Sequence, residues 1–176
     1  KGAIYPVHEL MRNESEAFSP AAYLPAVTGY YADMAGNMLS FPFNASTPIL
    51  YYNKDLFRAA GLDPEVAPKT WPEVGAAAKR LRASGAVCGL TTSWPSWVNV
   101  ENFSAFHNLP ISTMANGFGG LDAELTFNNP VMVRHIAQLA EWQTAKVFDY
   151  SGRAQTAEPR FQKGECGIFL GSSAAR

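Results

Sequence analysis

The chain has 176 residues, 47% of them apolar and 12% aromatic, with 14 basic side chains against 15 acidic ones and a formal charge of -1. That length suits one sizeable core or part of a larger two-domain protein, and the near-neutral charge excludes the electrostatic footprint of a nucleic-acid or anionic-membrane binder. No apolar run approaches bilayer length, no signal peptide is present, and the abrupt ends read as those of a fragment.

In chain order, Val7, Leu10 and Met11 share one side of a short helix predicted over 6–12. Ser19-Pro20 supplies a cap and a first-turn proline, so a second helix is expected from there to about Thr28. Tyr30-Tyr31, Ala35-Gly36-Asn37 and the run 38–43 read as strand, turn and strand, with Pro42 marking an edge. Next, the polar cluster Asn44-Ala45-Ser46-Thr47 meets Pro48, which pushes the residue before it out of the α region. Ile49-Leu50-Tyr51-Tyr52 has the branched and aromatic character of a buried strand. Asn53 suits the cap of the following helix, and Gly61 suits its left-handed end.

Beyond a proline-rich loop over 62–68, Thr70-Trp71-Pro72-Glu73 carries a capping box, and Val74, Ala77, Ala78 and Leu81 continue at helical spacing to Ser84-Gly85. Residues 86–91 read as a buried strand, and the loop after it carries Trp94, Trp97, Phe103 and Phe106. Residues 124–127 alternate like a strand, and Asn129-Pro130 opens a helix with Val133, Ile136, Ala137 and Ala140 expected on its inner face. A short helix over 158–163 and a buried strand over 166–170 complete an alternation that implies an α/β fold.

Candidate ligand groups cluster after the predicted strands. Trp94 and Trp97, three residues apart beside Ser93, Pro95 and Ser96, follow one strand, and Ser172-Ser173 follow another. Open α/β sheets place ligands beyond strand ends, and an aromatic wall packs the C–H faces of polyols or attracts a quaternary ammonium. The bland alternatives are two core tryptophans and an ordinary loop. Ser46 and Thr47 pose the same choice, with Pro48 fixing the backbone. His8, His107 and His135 lack any ligand spacing, so no metal site is expected. Gly117-Phe118-Gly119-Gly120 is neither a dinucleotide fingerprint nor a P-loop, and Gly171-Ser172-Ser173 lacks the second glycine of a nucleophile elbow. Glu101 and Glu141 have nothing to place them together, so no catalytic constellation and no cofactor is expected. Cys88 and Cys166 read either as two small buried side chains or as a disulfide.

Tyr52-Asn53-Lys54-Asp55-Leu56-Phe57, Ala60-Gly61-Leu62, Pro68-Lys69-Thr70-Trp71-Pro72-Glu73, Thr126-Phe127-Asn128-Asn129-Pro130 and Phe161-Gln162-Lys163-Gly164-Glu165-Cys166-Gly167-Ile168 resemble the extracellular solute-binding proteins of ABC importers. The stretches 42–48 and 93–97, with Glu101-Asn102-Phe103-Ser104-Ala105, resemble the members of that family that take sn-glycerol-3-phosphate. The resemblance runs over nearly the whole chain. It implies a fragment of a two-lobe, type II periplasmic-binding-protein fold. In that fold 1–46 would finish part of the first lobe, 47–176 would form most of the second, and the hinge crossing would fall near 46–49.

The resemblance further implies a non-enzymatic protein, periplasmic or otherwise extracytoplasmic and either free or lipid-anchored. It would capture sn-glycerol-3-phosphate or glycerophosphodiesters for a membrane permease, with no nucleic-acid partner. Ser46, Trp94 and Ser172 match ligand-contacting positions of the family, and Trp97 matches the second tryptophan of its W-x-x-W pair. The family's cationic partner for phosphate has no counterpart here, since Arg176 matches no motif. Phe106-His107 stands where relatives carry Trp-Asn, and Phe169-Leu170-Gly171 replaces a Thr-Thr-Ala-like run, so the headgroup stays open between glycerol-3-phosphate and diesters such as glycerophosphocholine. An oligosaccharide-binding role is the alternative. A phosphodiester or glycan hydrolase would need an acid–base pair or metal cluster that the sequence does not display.

Overall fold

A computed structural model describes residues 4–175; Lys1, Gly2, Ala3 and Arg176, with the expectations attached to them, lie outside it. In chain order the elements are α1 (Val7–Asn13), a 3-10 turn (Pro20–Ala22), α2 (Pro25–Tyr31), β1 (Pro48–Tyr52), α3 (Lys54–Ala59), α4 (Trp71–Ala83) and β2 (Cys88–Thr92). There follow a π turn (Trp97–Glu101), α5 (Asn102–Phe106), α6 (Thr113–Asn116), α7 (Pro130–Thr144), β3 (Phe148–Tyr150), α8 (Glu158–Gln162) and β4 (Cys166–Ser172). The chain divides into two compact units, one of residues 1–45 with 112–124, the other of 46–111 with 125–176.

In the first unit, Val7 N–H donates to Leu39 O and His8 N–H to Met38 O, both at 3.1 Å, so the start of α1 is held by a short extended stretch. Met38 is fully buried. The helix expected from Ser19 is broken in two, because Leu24 precedes Pro25 and sits at φ -62°, ψ 136°, outside the α region as pre-proline sterics demand. Tyr30 and Tyr31 end α2 instead of forming a strand, and an isolated bridge between Ala32 and Met38 replaces the expected hairpin. Asp33 shapes that turn by accepting from Ala35 N–H and Asn37 N–H. The α6 segment is a left-handed turn, with Met114 and Ala115 both at φ 53°.

The second unit is built on a four-stranded sheet in the order β1-β4-β2-β3. β4, β2 and β3 are parallel, whereas β1 runs antiparallel along β4 from Pro48 opposite Ser172 to Tyr52 opposite Ile168. β1 is therefore an edge strand, and Ile49 is 40% exposed where a buried strand was expected. The caps formed as their residues dictate. Asn53 Oδ1 accepts from Asp55 and Leu56 N–H at 3.0 Å, Thr70 and Glu73 close a reciprocal capping box on α4, and Asn129 Oδ1 accepts from Val131 and Met132 N–H on α7. The core gathers Phe57, Ala78, Leu81, Leu90, Leu139, Trp142, Phe148 and Ile168. Gly89 admits α4 to the sheet, since a methyl group there would overlap the Ala78 carbonyl.

Two further expectations fail, and one strand was not foreseen. The inner face of α7 is Met132, His135, Leu139 and Trp142, while Val133 and Ile136 are 53% and 42% exposed. Both sets fit a 3.6-residue period, and packing against Trp71 and Phe103 selects the one containing histidine. β3 goes unanticipated at three residues, and 124–127 belongs to none of the four strands.

Candidate functional site

Ser172 ends β4, and Ser93-Trp94 follow β2, so both groups lie at the carboxyl ends of adjacent parallel strands. They line one cavity of about 160 Å³, completed by Phe169, Gln155, Glu158 and the Ala174-Ala175 backbone turn. Trp94 is 39% exposed and sits at φ 48°, a left-handed conformation that costs a bulky residue strain and is found mainly where a side chain must be aimed. Two backbone bonds fix it: Trp94 N–H donates to Ala154 O at 3.1 Å and Val98 N–H donates to Trp94 O at 2.9 Å.

Ser172 is equally constrained. Tyr51 Oη donates to Ser172 O at 2.8 Å, and Ser172 Oγ accepts from Ala174 N–H at 3.0 Å, leaving its own proton for another acceptor. Tyr51 also stacks on Phe169, with centroids 5.7 Å apart, and Phe161 stacks there from α8. The loop carrying Gln155 is tied down by Arg160, whose guanidinium reaches Asp149 at 2.7 Å, Glu165 at 2.9 Å and Ser151 Oγ at 2.7 Å. The hydrogen bonds it donates to Glu165 and then to Asp149 raise its pKa above the ordinary arginine value.

The remaining predicted residues lie elsewhere. Ser46 is exposed and does not line the cavity, although Thr47 beside it pairs with Ser173, next to Ser172. Trp97 is half-buried in the π turn and contributes nothing to the cavity wall. Cys88 and Cys166 are joined in a disulfide between directly opposed positions of β2 and β4, at the far end of both strands from the cavity.

Sequence reasoning passed over Gln155, Glu158 and Ser93 as residues of the cavity wall. For Ser93 the signal was present, since it directly follows β2; the other two come from a loop and a helix start that carry no motif. A larger concavity of about 300 Å³ lies within the first unit around His8, Arg12, Glu16 and Met38. The smaller cavity is favoured as the ligand site because it gathers Trp94 and Ser172 at the carboxyl ends of adjacent parallel strands. Among the described residues no group of three or more histidine, cysteine or acidic side chains is placed to hold a metal ion. The arrangement suits hydrogen bonding and aromatic packing of a small polar molecule.

Residues 1–175 match the family described as bacterial extracellular solute-binding protein. The sn-glycerol-3-phosphate-binding periplasmic protein UgpB of Yersinia pestis bv. Antiqua (strain Antiqua) is 45% identical over 172 residues, covering 97% of this chain and 39% of that protein. UgpB of Rhizobium meliloti (strain 1021) is also 45% identical, over 98% of this chain and 40% of its own length. The chain thus spans about two fifths of the curated relatives it matches. Among solved structures, UgpB from Mycobacterium tuberculosis in complex with glycerophosphocholine superimposes with a TM-score of 0.75 at 19% identity, covering 99% of this chain and 43% of that one. Maltose-bound MalE3 of T. maritima superimposes with a TM-score of 0.74 at 17% identity, covering 98% and 42%. At such identities the superpositions establish the fold, part of a type II periplasmic-binding-protein architecture.

Proposed function

The chain belongs to the bacterial extracellular solute-binding proteins, and on that premise we propose that it forms the ligand-holding part of an ABC-importer binding component. That component captures sn-glycerol-3-phosphate or a glycerophosphodiester outside the cytoplasm and hands it to a membrane permease. The observation that carries this reading is the meeting of Trp94 and Ser172 on one cavity, in a chain 45% identical to relatives named for that ligand. Trp94 walls the glycerol or headgroup, and Ser172 donates a hydrogen bond to an ester or phosphoryl oxygen. Ser46, which does not line that cavity, is a further donor to the part of the ligand that extends beyond it, and the backbone near 46–49 is the hinge crossing between lobes. The role is binding without catalysis; capture follows a population shift from open to closed lobes. A disulfide accords with an oxidising, extracytoplasmic compartment.

Calorimetry on the full-length protein with glycerol-3-phosphate, glycerophosphocholine and maltose tests this. Binding of either phosphate ester supports the reading. Tight binding of maltose alone assigns the protein to oligosaccharide import, and turnover of glycerophosphocholine assigns it to catalysis.

A further inference from the structure

Trp94 is held at φ 48° by a bond whose other end belongs to a loop rather than a strand. The β2–β3 ladder pairs Thr91 with Asp149 and Thr92 with Tyr150, and it stops there. In continued register Trp94 would face Gly152; instead its N–H donates to Ala154 O at 3.1 Å. Gly152, at φ 118°, turns the chain so that Ala154 reaches that position. A bulky residue stays in the left-handed region only where its surroundings over-determine it. Whatever fixes Ala154 therefore fixes the backbone from which the indole projects.

Past Tyr150 the loop is anchored by side chains. Arg160 Nη1 donates to Ser151 Oγ and to Asp149 Oδ2, both at 2.7 Å, and its Nε donates to Glu165 Oε2 at 2.9 Å. Asp149 on β3 and Glu165 just before β4 orient the guanidinium, so the loop is referenced to the sheet itself. Thr91 Oγ1 gives its one proton to Asp149 O at 2.8 Å, so Ser151 donates in the 3.1 Å contact between the two hydroxyls. Ser151 Oγ thus accepts from Arg160 and donates to Thr91, a fully buried residue of β2. Its carbonyl accepts from Thr156 Oγ1, which closes the loop around Ala154.

We propose that Arg160 is a positioning residue for ligand binding, setting the place of Trp94 on the cavity wall through Ser151 and the Ala154 carbonyl. This rests on the reading that the cavity takes a glycerol-phosphate solute against Trp94. Arg160 lies outside the cavity lining, so it acts through the loop and not on the ligand.

The test uses the full-length protein as wild type, Arg160→Gln and Ser151→Ala, with two readouts. Amide hydrogen exchange without ligand compares the Trp94 N–H with the Leu90 N–H, which donates to Val147 O at 2.9 Å. Calorimetry with glycerol-3-phosphate and glycerophosphocholine reports affinity. Arg160→Gln is expected to lower Trp94 protection about tenfold relative to Leu90, and affinity about fivefold. Ser151→Ala leaves both ion pairs in place and should lower each by about threefold; it carries the test alone if Arg160→Gln does not fold. Unchanged Trp94 protection overturns the assignment. So does an equal loss at Trp94 and Leu90, which marks Arg160 as a general stabiliser. If the wild type binds neither ester, the functional reading fails and this assignment with it. If it binds one and the variants bind it equally well, the assignment alone fails.

Discussion

Thr47 and Ser173 hold each other twice: Ser173 N–H donates to Thr47 O at 2.8 Å, and Thr47 N–H donates to Ser173 Oγ at 3.1 Å. The pair extends the β1–β4 ladder one step past Pro48 opposite Ser172, and Pro48 itself has no N–H to give. Ser46 thereby leaves the sheet from a fixed point beside the end of β4. Ser46→Ala is expected to weaken binding of the glycerol-phosphate solute about tenfold, as loss of a charge-assisted bond would. Ser173→Ala, which removes one of the two bonds holding Thr47, should weaken it roughly threefold. Calorimetry on the full-length protein checks both, and a Ser173→Ala effect equal to or larger than that of Ser46→Ala would refute the positioning role.

Trp94→Ala should reduce affinity by more than about tenfold while moving the ligand-free thermal midpoint by no more than roughly 2 °C. The side chain is 39% exposed and its backbone is in the left-handed region, so truncation removes a wall of the cavity and little of the core. A midpoint drop on the scale of a core mutation, with unchanged affinity, would return Trp94 to a structural role.

Reducing the disulfide should destabilise the protein by about 4 kcal/mol in the chain-entropy model, because Cys88 and Cys166 close a loop with a sequence separation of 78. Both residues are at most 1% exposed, so reductant should act only as the protein opens. Thermal melts with and without reductant, set against a Cys88→Ala/Cys166→Ala variant, measure this. Ligand affinity should be preserved, since the bridge lies at the opposite strand ends from the cavity.

His135 predicts an acid limb in stability. Its ring stacks on Phe103 with centroids 3.7 Å apart and meets the Trp71 ring at 4.6 Å; burial, then the neighbouring His107 charge, lower its pKa from 6.5 to about 4. The folded state therefore keeps the ring neutral where the unfolded chain would protonate it. Stability is complete above pH 6.5 and falls as pH drops towards 4, by about 3 kcal/mol in all. His135→Phe should flatten that limb in thermal melts run from pH 7 to 4; an identical slope in the variant would refute the assignment.

Much of the fold was legible because its signals are local. The caps at Asn53, Thr70 and Asn129 need only a side chain and the N–H groups two or three residues on. The break at Leu24 is as local, since it needs only Pro25, yet it fell inside the single helix expected from Ser19 to Thr28. The inner face of α7 was not legible, because its two candidate stripes differ only in what they meet, and a histidine among aromatics outcompeted Val133 and Ile136. β3 was missed because three residues give too short a period, and their strand character comes from pairing with Leu90, Thr91 and Thr92.

The candidate site divides along the same line. Residue chemistry and family motifs were enough to nominate Trp94 and Ser172 as ligand groups, since each follows a recognisable strand. Long-range pairing decided the rest. Register between β2 and β4 brings Trp94 and Ser172 onto one cavity, edge pairing along β1 leaves Ser46 off its wall, and the π turn carries Trp97 away from it. Pairing with Leu170 and the hydroxyl of the adjacent Thr92 commit both backbone polar groups of Ser93, and its own hydroxyl is left without a partner. No local pattern encodes that, because an unsatisfied bond is a property of everything packed around the atom.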